Sequence, residues 1–278
     1  RLEQKDLRRT IVLTGTRRVG KTTIQYQMID RLLKKGVPPQ KILFVSMDHP
    51  MLKLSGLNDL LECYHSNVYA EQDCHYFFDV IQYASDWDKW MKTIYDMQPE
   101  TKMVATGSAS PALMKGSSES GAGRWSVIQV PTLSFYEYCA LIGARVPELG
   151  PEIRPTAFLH MAQQERTAVM IKLEEVQNYF MRYLRVGGFP ELALASDDLM
   201  AQQIMREDVV DKVLKRDLPA LYKIRSATEL ERIFLYLCNV SSEIVSFSAI
   251  ANDLGGVSRP TVENYVNYLE SANLIYQS

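Results

Sequence analysis

No stretch of this 278-residue chain approaches the ~18 consecutive apolar residues that a membrane-spanning helix needs, and no secretory leader is visible. Cysteine is scarce, and Cys63, Cys74, Cys139 and Cys238 are never spaced C-x-x-C. That usage fits reduced thiols in a cytoplasmic protein better than a disulfide framework. A metal held by Cys63, His65, Cys74 and His75 is disfavoured, because adjacent residues entering a strand point to opposite faces. Charge of one sign is lacking too: the net charge of −2 offers no global attraction to nucleic acid or to an anionic membrane. No internal repeat stands out. What the composition does provide is 46% hydrophobic residues, enough for one large or two ordinary cores. The chain starts at Arg rather than Met, and we expect it to be a piece of a longer protein.

The most informative segment is Gly15 to Thr22, G-T-R-R-V-G-K-T, directly behind the apolar run Thr10-Ile11-Val12-Leu13-Thr14. It is a complete G-x-x-x-x-G-K-[ST] phosphate-binding loop in strand-to-helix context. Its glycines let the backbone turn so that successive N–H groups face a phosphate, and the following helix adds its positive end. Lys21 would reach the β- and γ-phosphates, and the hydroxyl of Thr22 would ligate Mg²⁺. Ile24, Met28 and Leu32, four apart, begin that helix's apolar stripe, and Gly36 with Pro38 and Pro39 ends it. No N-K-x-D guanine motif occurs, and the sole D-x-x-G, Asp253 to Gly256, is remote, so a GTPase is disfavoured and ATP is the expected nucleotide.

Strands and helices alternate through the first half. Lys41 to Met47 reads as a buried strand ending at Asp48, Leu54 to Cys63 as a helix, and Tyr76-Phe77-Phe78-Asp79 as a strand ending in an acid. Trp87, Trp90, Met91, Ile94 and Met97 form a helical stripe that we read as core. Met103 to Thr106 and Ser126 to Val130 complete five strands. The expected fold class is α/β, a doubly wound parallel sheet with its ligand at the carboxyl ends of the strands. Asp79 fits the carboxylate that holds the Mg²⁺ water shell. The small polar segment Gly116 to Arg124 reads as a linker or as a loop serving the nucleotide.

Composition shifts at Pro147 to Pro155, after which everything reads as helix: 157–186, broken by Gly187-Gly188-Phe189-Pro190, then 198–217 and 227–240. A helix-turn-helix pattern closes the chain, with Ser246 capping a helix through Leu254, Gly255-Gly256 turning, and Ser258-Arg259-Pro260-Thr261 opening a second helix. Residues 151–278 hold 13 Lys and Arg against 17 Asp and Glu, a local balance of −4, and the second helix sets Arg259 against Glu263 and Glu270. Such a surface is a poor footprint for DNA.

Taken in order, Thr14 to Thr23, Phe44 to Asp48, Phe77 to Gln82, Thr106-Gly107-Ser108, Gly123-Arg124, Leu133-Ser134-Phe135-Tyr136-Glu137, Gly187 to Pro190 and the terminal segment resemble the prokaryotic AAA+ ATPases of the AAA_14 type. These are related to archaeal and STAND-like ATPases and are usually followed by a DUF4143 region. The resemblance implies a core over 1–146 with strand order 5-1-4-3-2, a helical lid over 156–225, and a winged-helix-like domain over 226–278. It implies ATP and Mg²⁺ as cofactors, with Gly15, Thr16, Arg17, Arg18, Val19, Gly20, Lys21, Thr22 and Thr23 binding nucleotide, and Thr22 and Asp79 holding the metal. Lys21, Asp79, Ser108 and Arg124 would be the catalytic set. Ser108 falls where a polar sensor touches the γ-phosphate or attacking water, and Arg124 where a cation meets the γ-phosphate, in cis or from a neighbouring subunit. One departure stands out: the family carries Glu after the Asp, and this chain has Val80, which cannot activate water. Hydrolysis is therefore slow, or another acid such as Asp48 substitutes. An ATP-gated DNA-binding regulator and a small-molecule kinase are the alternatives; the partner is an unidentified protein or a second copy, and no membrane is implied.

Overall fold

The computed structural model describes residues 8–52, 56–107, 123–149 and 155–277. They form two compact units, one running up to Val130 and resuming at Val210, the other spanning Pro131–Val209. The helix-turn-helix segment belongs to the same unit as the sheet.

In the first unit the strands are β1 (Thr10–Thr14), β2 (Ile42–Ser46), β3 (His75–Asp79), β4 (Lys102–Gly107) and β5 (Trp125–Gln129). Between them run α1 (Lys21–Lys34), α2 (Leu57–Asn67) and α3 (Trp87–Met97). All four strand pairings are parallel, in the order β2-β3-β4-β1-β5. This is the expected order read from the other edge. β1 is buried at all five positions, as a central strand with both faces covered must be.

The period-2 alternation assigns each face. Ile11, Leu13, Phe77 and Val104 pack with Ile24, Met28, Ile29 and Leu32 of α1. Val12, Tyr76, Phe78, Met103 and Ala105 point the other way, into a core with Leu57 and Leu61 of α2 and Trp87, Met91 and Ile94 of α3. The stripe of α3 is thus packing at Trp87, Trp90, Met91 and Ile94, whereas Met97, expected in the core, is exposed at the end of the helix. Helix α2 begins at Leu57, where Asp59 accepts from the backbone N–H of Gly56 at 3.3 Å; Leu54, its expected start, lies outside the described residues.

The second unit contains α4 (Phe135–Ile142), α5 (Pro155–His160), α6 (Gln163–Val186), α7 (Pro190–Ala193) and α8 (Asp198–Ile204). Two motifs distant in sequence meet here. Leu133 donates its N–H to the carbonyl of Gly188 at 2.7 Å, and a Cβ on Gly188 would lie 2.3 Å from the Leu133 oxygen. Arg182 donates to Asp198, the Tyr138 hydroxyl and two backbone carbonyls, stitching α6 to its neighbours.

Back in the first unit, a π-helical turn (Val213–Asp217) leads into α9 (Leu218–Leu221), followed by α10 (Ala227–Asn239), α11 (Phe247–Leu254) and α12 (Arg259–Ser271). Val213, Leu214, Leu218, Leu230, Ile233, Ile250, Val262 and Leu269 make a core of their own. Ser246 and Ser258 cap α11 and α12 through their hydroxyls, as expected from the sequence. No strand occurs among the described residues of this segment, so it is a helix-turn-helix without a described wing.

Candidate functional site

The phosphate-binding loop joins β1 to α1 at the carboxyl edge of the sheet, where Thr14 aligns with Gly107 and Gln129, and Ser46 with Asp79. Gly15 adopts φ 140°, and a Cβ there would lie 2.3 Å from the Val130 carbonyl oxygen. Only glycine fits that approach. Gly20 precedes α1 at φ 92° with no side-chain cap, so the first amides of α1 keep their donors for an anion. Arg18 also has positive φ, 63°, and Val19 is buried, anchoring the loop in the core.

Lys21 donates from Nζ to the carbonyls of Gly15 and Thr16 at 2.8 and 2.7 Å. Burial pushes its pKa down to about 8, opposed in part by the Asp79 charge. The Thr22 hydroxyl lies 3.0 Å from both oxygens of Asp79, which is itself buried. These residues fit an Mg²⁺-nucleotide: a cation for phosphate oxygens, a hydroxyl and a carboxylate for the hard metal, and uncapped helix amides.

Of the expected set, the structure brings Gly15 to Thr22 and Asp79 together. Thr23 lies exposed on α1 next to them. Ser108 lies outside the described residues, as does the loop from Gly116 up to Ala122. Arg124 is placed elsewhere: its carbonyl accepts from the N–H of Thr10, and its guanidinium pairs with Asp96 at 2.9 and 3.2 Å. That is the amino edge of the sheet, the strand length away from the loop, so the structure does not bring Arg124 to Lys21, Thr22 and Asp79. Asp48 is exposed at the carboxyl edge, accepting from Ser46 Oγ at 2.7 Å.

Several participants escape the sequence reading. Thr106 on β4 donates to Asp79 Oδ1 at 2.5 Å and accepts from the Val80 N–H at 2.9 Å. Val80 itself stands at φ 54°, a left-handed conformation rare for a β-branched residue. Buried Gln25 donates to the Phe78 and Val104 carbonyls, tying α1 to β3 and β4; a polar residue one turn after Lys21 on the buried face was its only signal. Arg17 forms a two-pronged pair with Asp217, Nε to Oδ2 at 2.6 Å and Nη2 to Oδ1 at 2.9 Å. Thr16 Oγ1 donates to the Asn273 carbonyl at 3.4 Å. Nothing local in the sequence points to Asp217 or Asn273.

Comparison with known proteins agrees with this geometry. Residues 7–139 match the AAA_14 family model, an AAA domain, and residues 177–278 match a domain of unknown function, DUF8612. The uncharacterized protein MJ1544 of Methanocaldococcus jannaschii is 26% identical over 269 residues, covering 95% of this chain and 55% of its own length. A Haemophilus influenzae protein is 24% identical, with 96% and 61% covered. The chain thus spans little more than half the length of these relatives. Among solved structures, the Walker-type ATPase PABY2304 of Pyrococcus abyssi aligns with a TM-score of 0.52 at 12% identity, covering 99% of this chain and 87% of that one. The ORC2 protein of Aeropyrum pernix gives the same TM-score and identity over 97% and 81%. The N-terminal part of the chain is therefore an AAA domain of the AAA_14 type, with the fold of a P-loop ATPase.

Proposed function

We propose that this chain binds Mg²⁺-ATP, hydrolyses it slowly, and uses the nucleotide state to change the conformation of its helical regions. The observation that carries this reading is the meeting of Lys21, Thr22 and Asp79 at the end of a glycine-shaped loop. Lys21 and the α1 amides would hold the phosphates, and Thr22 with Asp79 the metal. The ORC2 neighbour was solved in ADPNP–ADP complexes, which supports a nucleotide at this fold's loop. Slow turnover follows from Val80, whose side chain offers no lone pair to orient water. Arg124, on the opposite edge, would serve only a neighbouring copy's nucleotide. Four free thiols support a cytoplasmic setting.

The test is calorimetric affinity and turnover for Mg²⁺-ATP on one purified sample, beside Lys21→Ala. The variant should lose on the order of tenfold to a hundredfold in affinity, the worth of a charge-assisted phosphate contact. Equal affinity would sink the assignment. GTP should compete poorly, and equal competition would point to a phosphate-only site. The helix-turn-helix favours an ATP-gated DNA-binding regulator as second reading, but the charge balance of −4 over residues 151–278 opposes it. A gel shift with duplex DNA at physiological salt decides between them.

A further inference from the structure

Two consecutive residues of the C-terminal segment grip the two loops that build the phosphate site. Asp217 holds Arg17 of the phosphate-binding loop across 200 residues of sequence. Arg216 donates from Nη2 to the Tyr83 hydroxyl at 2.8 Å and lies over its ring at 5.7 Å. Tyr83 belongs to the turn after β3, which begins at Asp79 and Val80. Both gripping residues end the π-helical turn Val213–Asp217, a geometry found disproportionately at functional sites. Their neighbours Leu214 and Leu218 are each 1% exposed in the C-terminal core, so the Asp217 carboxylate cannot shift without disturbing that core.

The pair is largely withdrawn from water, with side-chain exposures of 23% and 13%. A fork-to-carboxylate pair fixes orientation as well as distance. The loop it fixes needs such restraint, since Gly15, Arg18 and Gly20 all hold positive φ. Thr16, one residue earlier, is tied to Asn273 of the same segment.

We propose that Asp217 is a positioning residue of the phosphate site: through Arg17 it holds the loop amides in phosphate-binding array and links nucleotide binding to the packing of the C-terminal helical core. This rests on the ATP-binding reading above. The linkage is reciprocal, because anything that stabilises the loop arrangement stabilises the helices that hold it.

The experiment is a double-mutant cycle read as Mg²⁺-ATP affinity. Asp217→Asn and Arg17→Gln should each weaken binding about tenfold, and the double variant no more than either, because contacting residues are non-additive. Asp217→Glu, which keeps the fork's partner, should bind closer to wild type than Asp217→Asn. ATP should slow amide exchange over residues 213–218 in the wild type and not in Asp217→Asn, a response that a purely structural carboxylate would not give. Additive losses, or an Asp217→Asn protein that melts like wild type and binds ATP as well or better, would overturn the proposal. Should Asp217→Asn fail to fold, the exchanged pair Arg17→Asp with Asp217→Arg reads the same coupling: recovery of affinity relative to Arg17→Asp alone supports it, and none refutes it. Lys21→Ala separates the two levels. If that variant binds ATP as wild type does, the nucleotide site is at fault; if it loses ATP while the Arg17 and Asp217 variants do not, the tie is.

Discussion

The Thr106 hydroxyl donates to Asp79 at 2.5 Å and accepts the Val80 amide at 2.9 Å, so one β4 side chain fixes both the metal-type carboxylate and the strained residue after it. Replacing it with the isosteric valine removes both bonds and leaves a buried carboxylate short of a donor. Thr106→Val should cost ~1–3 kcal/mol in denaturant unfolding and raise the Mg²⁺ needed for half-maximal ATP binding, whereas Thr106→Ser should behave as wild type. Identical Mg²⁺ titrations for all three proteins would show that Thr106 does not orient Asp79.

Val80 tests the slow-hydrolysis reading. Val80→Glu should raise ATP turnover by ~10²-fold, within the range a positioned base contributes, with little change in affinity because the new carboxylate acts on water. Brisk hydrolysis by the unmodified chain would send the role to Asp48 or another acid. Separately, Val80→Asn should raise stability by about 1 kcal/mol, since asparagine tolerates the φ of 54° that valine resists. A lower melting temperature would contradict the strain.

Lys21 makes binding proton-linked. Its pKa of about 8 lies below the ordinary 10.5, with burial the main cause. Between those two values the unfolded chain holds the extra proton, so this group's contribution to stability rises with pH across that window and is least below it. Phosphates brought against Nζ favour the charged form. ATP binding at a pH inside that window should therefore take up protons, seen as a calorimetric enthalpy that varies with the ionisation enthalpy of the buffer. Lys21→Ala should abolish that variation in whatever binding remains.

Gly188 should tolerate no side chain. A Cβ 2.3 Å from the Leu133 oxygen forces backbone apart where Leu133 and Gly188 share a hydrogen bond. Gly188→Ala is expected to destabilise by ~1–3 kcal/mol, the usual cost of overpacking. A wild-type melting curve would show that the contact relaxes freely.

Much of this molecule is local chemistry and was legible as such. The apolar runs at Thr10–Thr14 and Tyr76–Phe78, the glycines at 15 and 20, and the serine caps at 246 and 258 each act over a few residues, so spacing alone identifies the five-stranded α/β core, the loop and the terminal helix pair. Lys21, Thr22 and Asp79 follow from that pattern, because a strand end delivers its last residue to a known edge. Other relationships could only be decided by tertiary structure. A motif assigns Arg124 a task but not a position, and the parallel register carries it to the amino edge beside Asp96. Thr106, Gln25, Asp217 and Asn273 reach the site across 27, 53, 200 and 257 residues respectively. No periodicity reports such pairings, since they depend on how separate elements pack and not on what each element is.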